Sequence, residues 1–383
     1  MATREYLWPT EEQALLLTAA IAAEPQAIRA FEQWNRSVDY NKFFDTGVFR
    51  LLPSVYKRMS SLGVTADEMP RLKGVYQQAW CKTQILFRGV APALALLHAN
   101  HIEILLLKGA PLQSLYYKGA GLRPMSDVDI AIRRRDMAKS ISLLRKAGWS
   151  VRERELQAFD EGDSVTLENL LQQHHGFQFK SPDGHEIDLH NHLLKDAFTA
   201  AADDWFWNAS LPYSFMGMQM RRLDATALLF HVIIHGVRPN LEPPVRWITD
   251  AHVILAEAKD EIRWEDMIEL ARRESLSHRL YLGLSYIAEQ FAAPVPPYVF
   301  QKLQAVRPGF TEWAERKYVF DLDRGATIMG WICGVLALEA RRAREHGRLT
   351  FLARVGLRAG GYLRRRLMSV LSVGDRSPVA QVK

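Results

Sequence analysis

Apolar positions recur along this chain with two different periods, and the change of period divides it. Up to about residue 100 the pattern is helical. Residues 11–23 and 26–34 have helix-forming composition, and 75–99 read as a longer helical stretch. Only Gly89 and Pro92 disturb that stretch, which predicts a helix that breaks and restarts near Pro92. Residues 102–107 then form a short apolar, β-rich run, the signature of a buried strand. Gly109 ends it, and Pro111 stands where the first turn of a helix accepts proline. Leu112, Leu115 and Tyr116 are spaced for one face of that helix, and Gly119 and Gly121 stop it.

Residues 127–132 alternate and predict a second strand. Asp136 is placed to cap a helix with Met137, Ile141 and Leu144 inward and Gly148 at its end. Residues 149–154 predict a third strand, and 157–171 a polar loop with a short helix. Residues 177–179 and 186–190 flank Ser181-Pro182-Asp183-Gly184, a turn signal that predicts a β-hairpin. Beyond Leu194 the pattern is helical again, over 225–236, 245–258, 264–274, 280–291 and 298–305. The fold class is therefore α+β. A helical region (1–100) and a C-terminal helical domain (196–373) flank an α/β core with a small mixed β-sheet (101–195), and 374–383 read as a disordered tail.

Composition adds limits. The 383 residues exceed one small core and predict two or three domains. The two cysteines, Cys81 and Cys333, are far apart and belong to no CxxC or Cys/His cluster, which argues against a disulfide framework or structural zinc and fits a reducing cytoplasm. No secretory signal opens the chain, and no transmembrane segment is expected. Residues 326–338 are too short to span a bilayer and read as a buried helix. The net charge is +6, and residues 341–366 hold nine arginines opposed only by Glu345. A solvated helix face explains that run better than a surface for a phosphate-rich partner or an anionic membrane, because Phe351, Leu352, Val355 and Leu363 give it a packing side and no aromatic–basic interleaving appears.

Candidate chemistry gathers in the α/β part. On a strand, Val128, Ile130 and Ile132 face the core while Asp127 and Asp129 share the other face, about 7 Å apart at Cα. Two such carboxylates repel unless a cation lies between them, and Mg2+ or Mn2+ takes oxygen ligands while leaving positions for phosphate. Residues 186–190 repeat the pattern: Ile187 and Leu189 point inward, while Glu186, Asp188 and His190 point outward. Asp188 would add a third carboxylate as metal ligand or general base, and His190 would contact phosphate or orient a carboxylate. His185 and His190 are five apart and face opposite sides of a strand, so a zinc-protease motif is excluded. Lys108-Gly109 joins a strand end to a helix start, a natural anion site that Lys108 or Arg123 would reinforce. Ser126, or Ser114, would supply a hydroxyl to phosphate. Arg246 and Asp250 are four apart and predict a helix ion pair, while His231 and His235 share a helix face.

The succession LLLKGAPLQSLYYKGAGLRPMSDVDIAI followed by HEIDLH resembles the nucleotidyltransferase superfamily of the DNA polymerase β type. It is more closely similar to a bacterial family of uncharacterised nucleotidyltransferases. The resemblance covers roughly residues 105–255, with LLFHVIIHGVRPNLEPPVRWITDAHVIL matching a helical region. It implies Asp127, Asp129 and Asp188 as catalytic metal ligands, Mg2+ or Mn2+ as cofactor, and Lys108 and Gly109 at the triphosphate, with Arg123, Ser126 and His190 completing the nucleotide site. Lys108-Gly109-Ala110 departs from the superfamily's usual Gly-Gly or Gly-Ser, which leaves the mode of nucleotide binding open. The implied reaction moves a nucleoside monophosphate from an NTP such as ATP to an acceptor hydroxyl on a small molecule, sugar, peptide or protein, or RNA, and releases pyrophosphate. Two alternatives use the same features: a sugar-nucleotide glycosyltransferase on the DxD pair, or a non-catalytic nucleotide- or RNA-binding module. No feature specifies an oligomeric state.

Overall fold

The computed structural model of the chain describes residues 7–40, 44–157, 164–238, 240, 245–320, 332–334, 336–337 and 339–340. The expected arginine-rich segment and C-terminal tail lie outside the described residues, as does most of the helix expected over 326–338. The chain forms two units, 1–308 and 309–383. In the second unit the helix Phe310–Tyr318 is described.

The first unit begins with four helices, α1 (Glu11–Ile21), α2 (Glu24–Ser37), α3 (Thr46–Ser61) and α4 (Met69–Ala99). Thr10 and Gln13 close a reciprocal capping box on α1. Asp45 caps α3 by accepting from the Val48 N–H. The predicted break at Pro92 does not occur, and α4 runs through it. Pro92 lies on the exposed face, where water can take up the freed carbonyl. The buried stripe Leu86, Val90, Ala93, Leu94 and Leu97 continues past it and holds the helix together.

The sheet follows, with strands β1 (Ile104–Leu106), β2 (Asp127–Ile132), β3 (Ser150–Val151), β4 (Gly176–Lys180), β5 (Glu186–His190), β6 (Ser210–Phe215) and β7 (Met218–Leu223). Their order is β3-β4-β5-β2-β1-β7-β6. The β2–β5 and β1–β7 pairs are parallel and the others antiparallel, so the sheet is mixed and the fold α+β. Between the strands lie α5 (Gly109–Leu112), which passes into a π-helical turn at Gln113–Tyr117, then α6 (Met137–Lys146), α7 (Arg154–Gln157) and α8 (Ser164–Gln173). Asp136 precedes α6 as expected but makes no side-chain cap, because Arg134–Asp136 form a 3-10 turn leading straight into the helix. The third strand is shorter than predicted, since α7 begins at Arg154.

The predicted hairpin at Pro182 is present. Ser181 donates its N–H to the His185 carbonyl at 2.8 Å and Gly184 takes φ +90° in the turn. A second hairpin, β6–β7, stands where helix alone was expected beyond Leu194. Its turn, Met216-Gly217, has both residues at positive φ, the two-residue geometry that matches strand twist. Pro212 lies in β6, the edge strand, where a missing N–H is tolerated.

Six helices complete this unit's described part after β5: α9 (Ala200–Asn208), α10 (Ala225–Gly236), α11 (Arg246–Ala258), α12 (Trp264–Glu274), α13 (Ser277–Phe291) and α14 (Pro297–Ala305). All of α10 except His235 is buried. One sheet face, carrying Ile104, Leu106, Val128, Ile130, Ile187 and Leu189, packs with α4 and α6 into a continuous core. The polar side chains of β2 and β5 are thereby left to the other face.

Candidate active site

Strand alternation and register assemble this face. β5 lies parallel to β2 with Asp127 opposite Glu186 and Asp129 opposite Asp188, so the two acidic motifs become neighbours. Asp129, Asp188 and His190 each offer a ligand atom, and these atoms lie within 4.8 Å of one another. Asp127 is two residues from Asp129 on the same strand face and lies outside that close trio. Ser126 is exposed beside it.

Lys108 reaches the trio from the end of β1. Its Nζ lies 2.6 Å from Asp129 Oδ1, and His190 Nε2 lies 3.1 Å from the same oxygen. His190 thus pairs with the Asp129 carboxylate. Leu107 donates its N–H to the Asp129 carbonyl at 3.0 Å, which ties the lysine's chain neighbour to β2. Lys108 adopts φ 45° and ψ −107°, a conformation that costs a non-glycine residue about 1–3 kcal/mol.

The three carboxyls differ electrostatically. Burial would raise Asp129, but Lys108 and His190 outweigh it and hold the group well below the usual carboxylate range. Burial and then the charge of Asp129 push Asp127 up. The same two causes push Asp188 up to about 6. Asp188 Oδ1 is buried with no hydrogen-bond partner among the described residues. A buried, partnerless carboxylate oxygen beside a second carboxylate and an imidazole could hold a metal ion. Soft metals gain nothing from a set without thiolates.

Gly109 sits beneath Arg123 and Met125. A Cβ there would lie 2.7 Å from both Arg123 Nη1 and Met125 Sδ, so close packing of this chain's own side chains demands glycine. Arg123 is buried, and its Nε and Nη2 donate to Asp250 at 2.9–3.1 Å. Tyr117 donates its hydroxyl to Asp250 Oδ1 at 2.8 Å. The expected Arg246–Asp250 helix pair is therefore absent: Asp250 is taken by Arg123, and Arg246 donates to the Pro124 carbonyl at 3.3 Å. Burial and then the Arg123 and Arg50 charges bring Arg246 down to about 10. Ser114 is bound to the Tyr213 hydroxyl at 2.5 Å.

His185, His231 and His235 have structural surroundings. The His185 ring lies against Gly89 of α4, on the opposite side of β5 from His190, in keeping with the exclusion of a zinc-protease motif. His231 donates Nε2–H to the Leu193 carbonyl at 2.9 Å and stacks on His235. Burial drives His231 down to about 3.

Sequence reading missed the Arg123–Asp250–Tyr117 cluster and the pairing of Lys108 with Asp129. Asp250 lies 127 residues from Arg123, and a nearer arginine stood at helical spacing, so no local signal identified the true partner.

Comparison with known proteins gives one family. The family described as uncharacterised nucleotidyltransferase matches residues 48–292, more than half of the chain and all seven strands. Among solved structures, the solution structure of the antibiotic-resistance factor ANT(2'')-Ia is similar at 14% identity, covering 54% of this chain and 98% of that one with a TM-score of 0.34. A search of curated proteins finds no match.

Proposed function

This chain belongs to the uncharacterised nucleotidyltransferase family, and we propose on that premise that it transfers a nucleoside monophosphate from an NTP to an acceptor hydroxyl. The observation that carries the reading is the register of β2 with β5, which sets Asp129 beside Asp188 and leaves Asp188 Oδ1 without a partner. Asp129, Asp188 and His190, with Asp127 alongside, are the residues that would hold Mg2+ or Mn2+. Bound there, a divalent ion supplies positive charge to the phosphoryl oxygens and the leaving pyrophosphate.

The protein's own groups divide the remaining work. Lys108 and Gly109 would meet the donor's triphosphate, and the exposed Ser126 beside Asp127 would offer it a hydroxyl. Arg123, committed to Asp250, packs against Gly109. Asp188, the third carboxylate, accepts the proton of the acceptor hydroxyl. The acceptor oxygen bonds to the α-phosphorus, the bond from that phosphorus to the bridging oxygen breaks, and pyrophosphate departs. Two free cysteines, Cys81 and Cys333, fit a reducing cytoplasm.

The test is mass spectrometry of the protein and candidate acceptors after incubation with mixed NTPs, sugar nucleotides and Mg2+, alongside a pyrophosphate assay. A nucleotidyl mass gain with pyrophosphate release is expected, and Asp127→Ala and Asp129→Ala should abolish both without unfolding the chain. Turnover of sugar nucleotides alone, or unchanged release in both variants, would overturn the assignment.

A further inference from the structure

We propose that Lys108 is a built-in counter-cation at Asp129, which a divalent ion must displace, so that loading the acidic trio frees the lysine for the donor's phosphates. The proposal rests on the functional reading above. Lys108 Nζ and His190 Nε2 converge on one oxygen, Asp129 Oδ1, at 2.6 and 3.1 Å. A cation bound to that carboxylate meets the ammonium at contact range, where two positive charges repel. The side chains of Lys108 and Asp129 are 13% and 11% exposed, so water does little to screen them. The trio is also one-sided: Asp129 has its counter-charge, while Asp188 Oδ1 has no partner among the described residues.

The backbone supports the same reading. Lys108 holds φ 45° and ψ −107° although Gly109, the residue suited to unusual backbone, is next to it. Leu107 is pinned to β2 through the Asp129 carbonyl, so the lysine issues from a fixed strand end directly onto the Asp129 carboxylate. Its flexible stem lets the ammonium leave Asp129 while the Cα stays in place, and the released charge remains on the face where a phosphate chain would lie. Lys108 is thus the counter-cation of the unloaded site and, once displaced, a binding residue for the donor. Backbone strain at an ion pair inside a candidate metal site is the kind of outlier that marks a two-position element.

The experiment measures Mn2+ binding to the full chain by calorimetry without nucleotide, in the wild type, Lys108→Gln and Asp129→Ala. It also follows reductive methylation of Lys108 in the wild type by peptide mass spectrometry, with and without Mn2+. Lys108→Gln should bind Mn2+ about tenfold tighter, since no ammonium competes. Bound Mn2+ should raise the methylation rate of Lys108 several-fold. Should Lys108→Gln fail to fold, the labelling of the wild type decides alone. Equal Mn2+ affinity in wild type and Lys108→Gln, with Lys108 reactivity unchanged by bound Mn2+, would overturn the displacement while leaving the metal site standing. Absence of Mn2+ binding in wild type and Lys108→Gln alike would overturn the functional reading, and the proposal with it.

Discussion

At Gly109 two side chains occupy the space a methyl group would need. Arg123 Nη1 is held in place by the bonds of its guanidinium to Asp250, whereas Met125 can turn aside. Gly109→Ala is expected to cost about 1–3 kcal/mol in urea denaturation, and Met125→Ala in the same chain should recover part of it. The glycine was legible from the sequence as a special position. Its cause was not, because Arg123 and Met125 reach it only after the chain has folded back across the sheet. His231 makes a second prediction at this scale. Its unfolded value is the usual 6.5 and its folded value about 3, so below pH 6.5 the unfolded chain binds the proton first. Stability that is fully present above about pH 6.5 is lost as pH falls toward about 3. Between about pH 6.5 and pH 5 the loss is about 2 kcal/mol from this residue. His231→Gln keeps a donor for the Leu193 carbonyl and removes the titration. Its denaturation midpoint should therefore vary less than the wild type's over that interval, and an identical pH profile would contradict the assignment.

Among the elements, α11 is tied to the turn before β2 by a buried ion pair. Removing the acid from Arg123–Asp250 leaves a guanidinium without its counter-charge, and Tyr117 without its acceptor. Asp250→Ala should cost about 3–5 kcal/mol in chemical denaturation. Replacing Arg123 and Asp250 together by apolar residues should cost much less, and a double-mutant cycle measures the difference. If the single variant costs no more than the double, the pair does not join these elements as described. The sequence showed most elements through their periodicity, and the Pro182 hairpin through its turn residues. It hid β6–β7 because Met216-Gly217 is a weak turn signal and Pro212 reads as a strand breaker, although an edge strand accepts it. Pro92 misled in the opposite direction, since tertiary packing along one face of α4 outweighs one missing helix bond.

For the molecule as a whole, ion binding should appear as folding stability. A cation held by Asp129, Asp188 and His190 binds the folded chain and not the unfolded one. Mn2+ at about a hundred times its dissociation constant should therefore add about 2.7 kcal/mol. A rise in Tm that EDTA reverses, and that Asp129→Ala lacks, is the expected result of a thermal melt. No helix among the described residues is long and apolar enough to cross a membrane. By itself the sequence determined that Asp127 and Asp129 share one strand face and that Asp188 and His190 share another. It also determined that both strands bury the opposite, aliphatic side. These are consequences of two-residue alternation, which is local. Only the tertiary structure decided that Asp129 stands beside Asp188, that Lys108 rests on the first of them, and that Asp250 belongs to Arg123. Register and long-range pairing depend on how strands dock across the sheet and on which charges are buried together, and neither is written in the spacing of neighbouring residues.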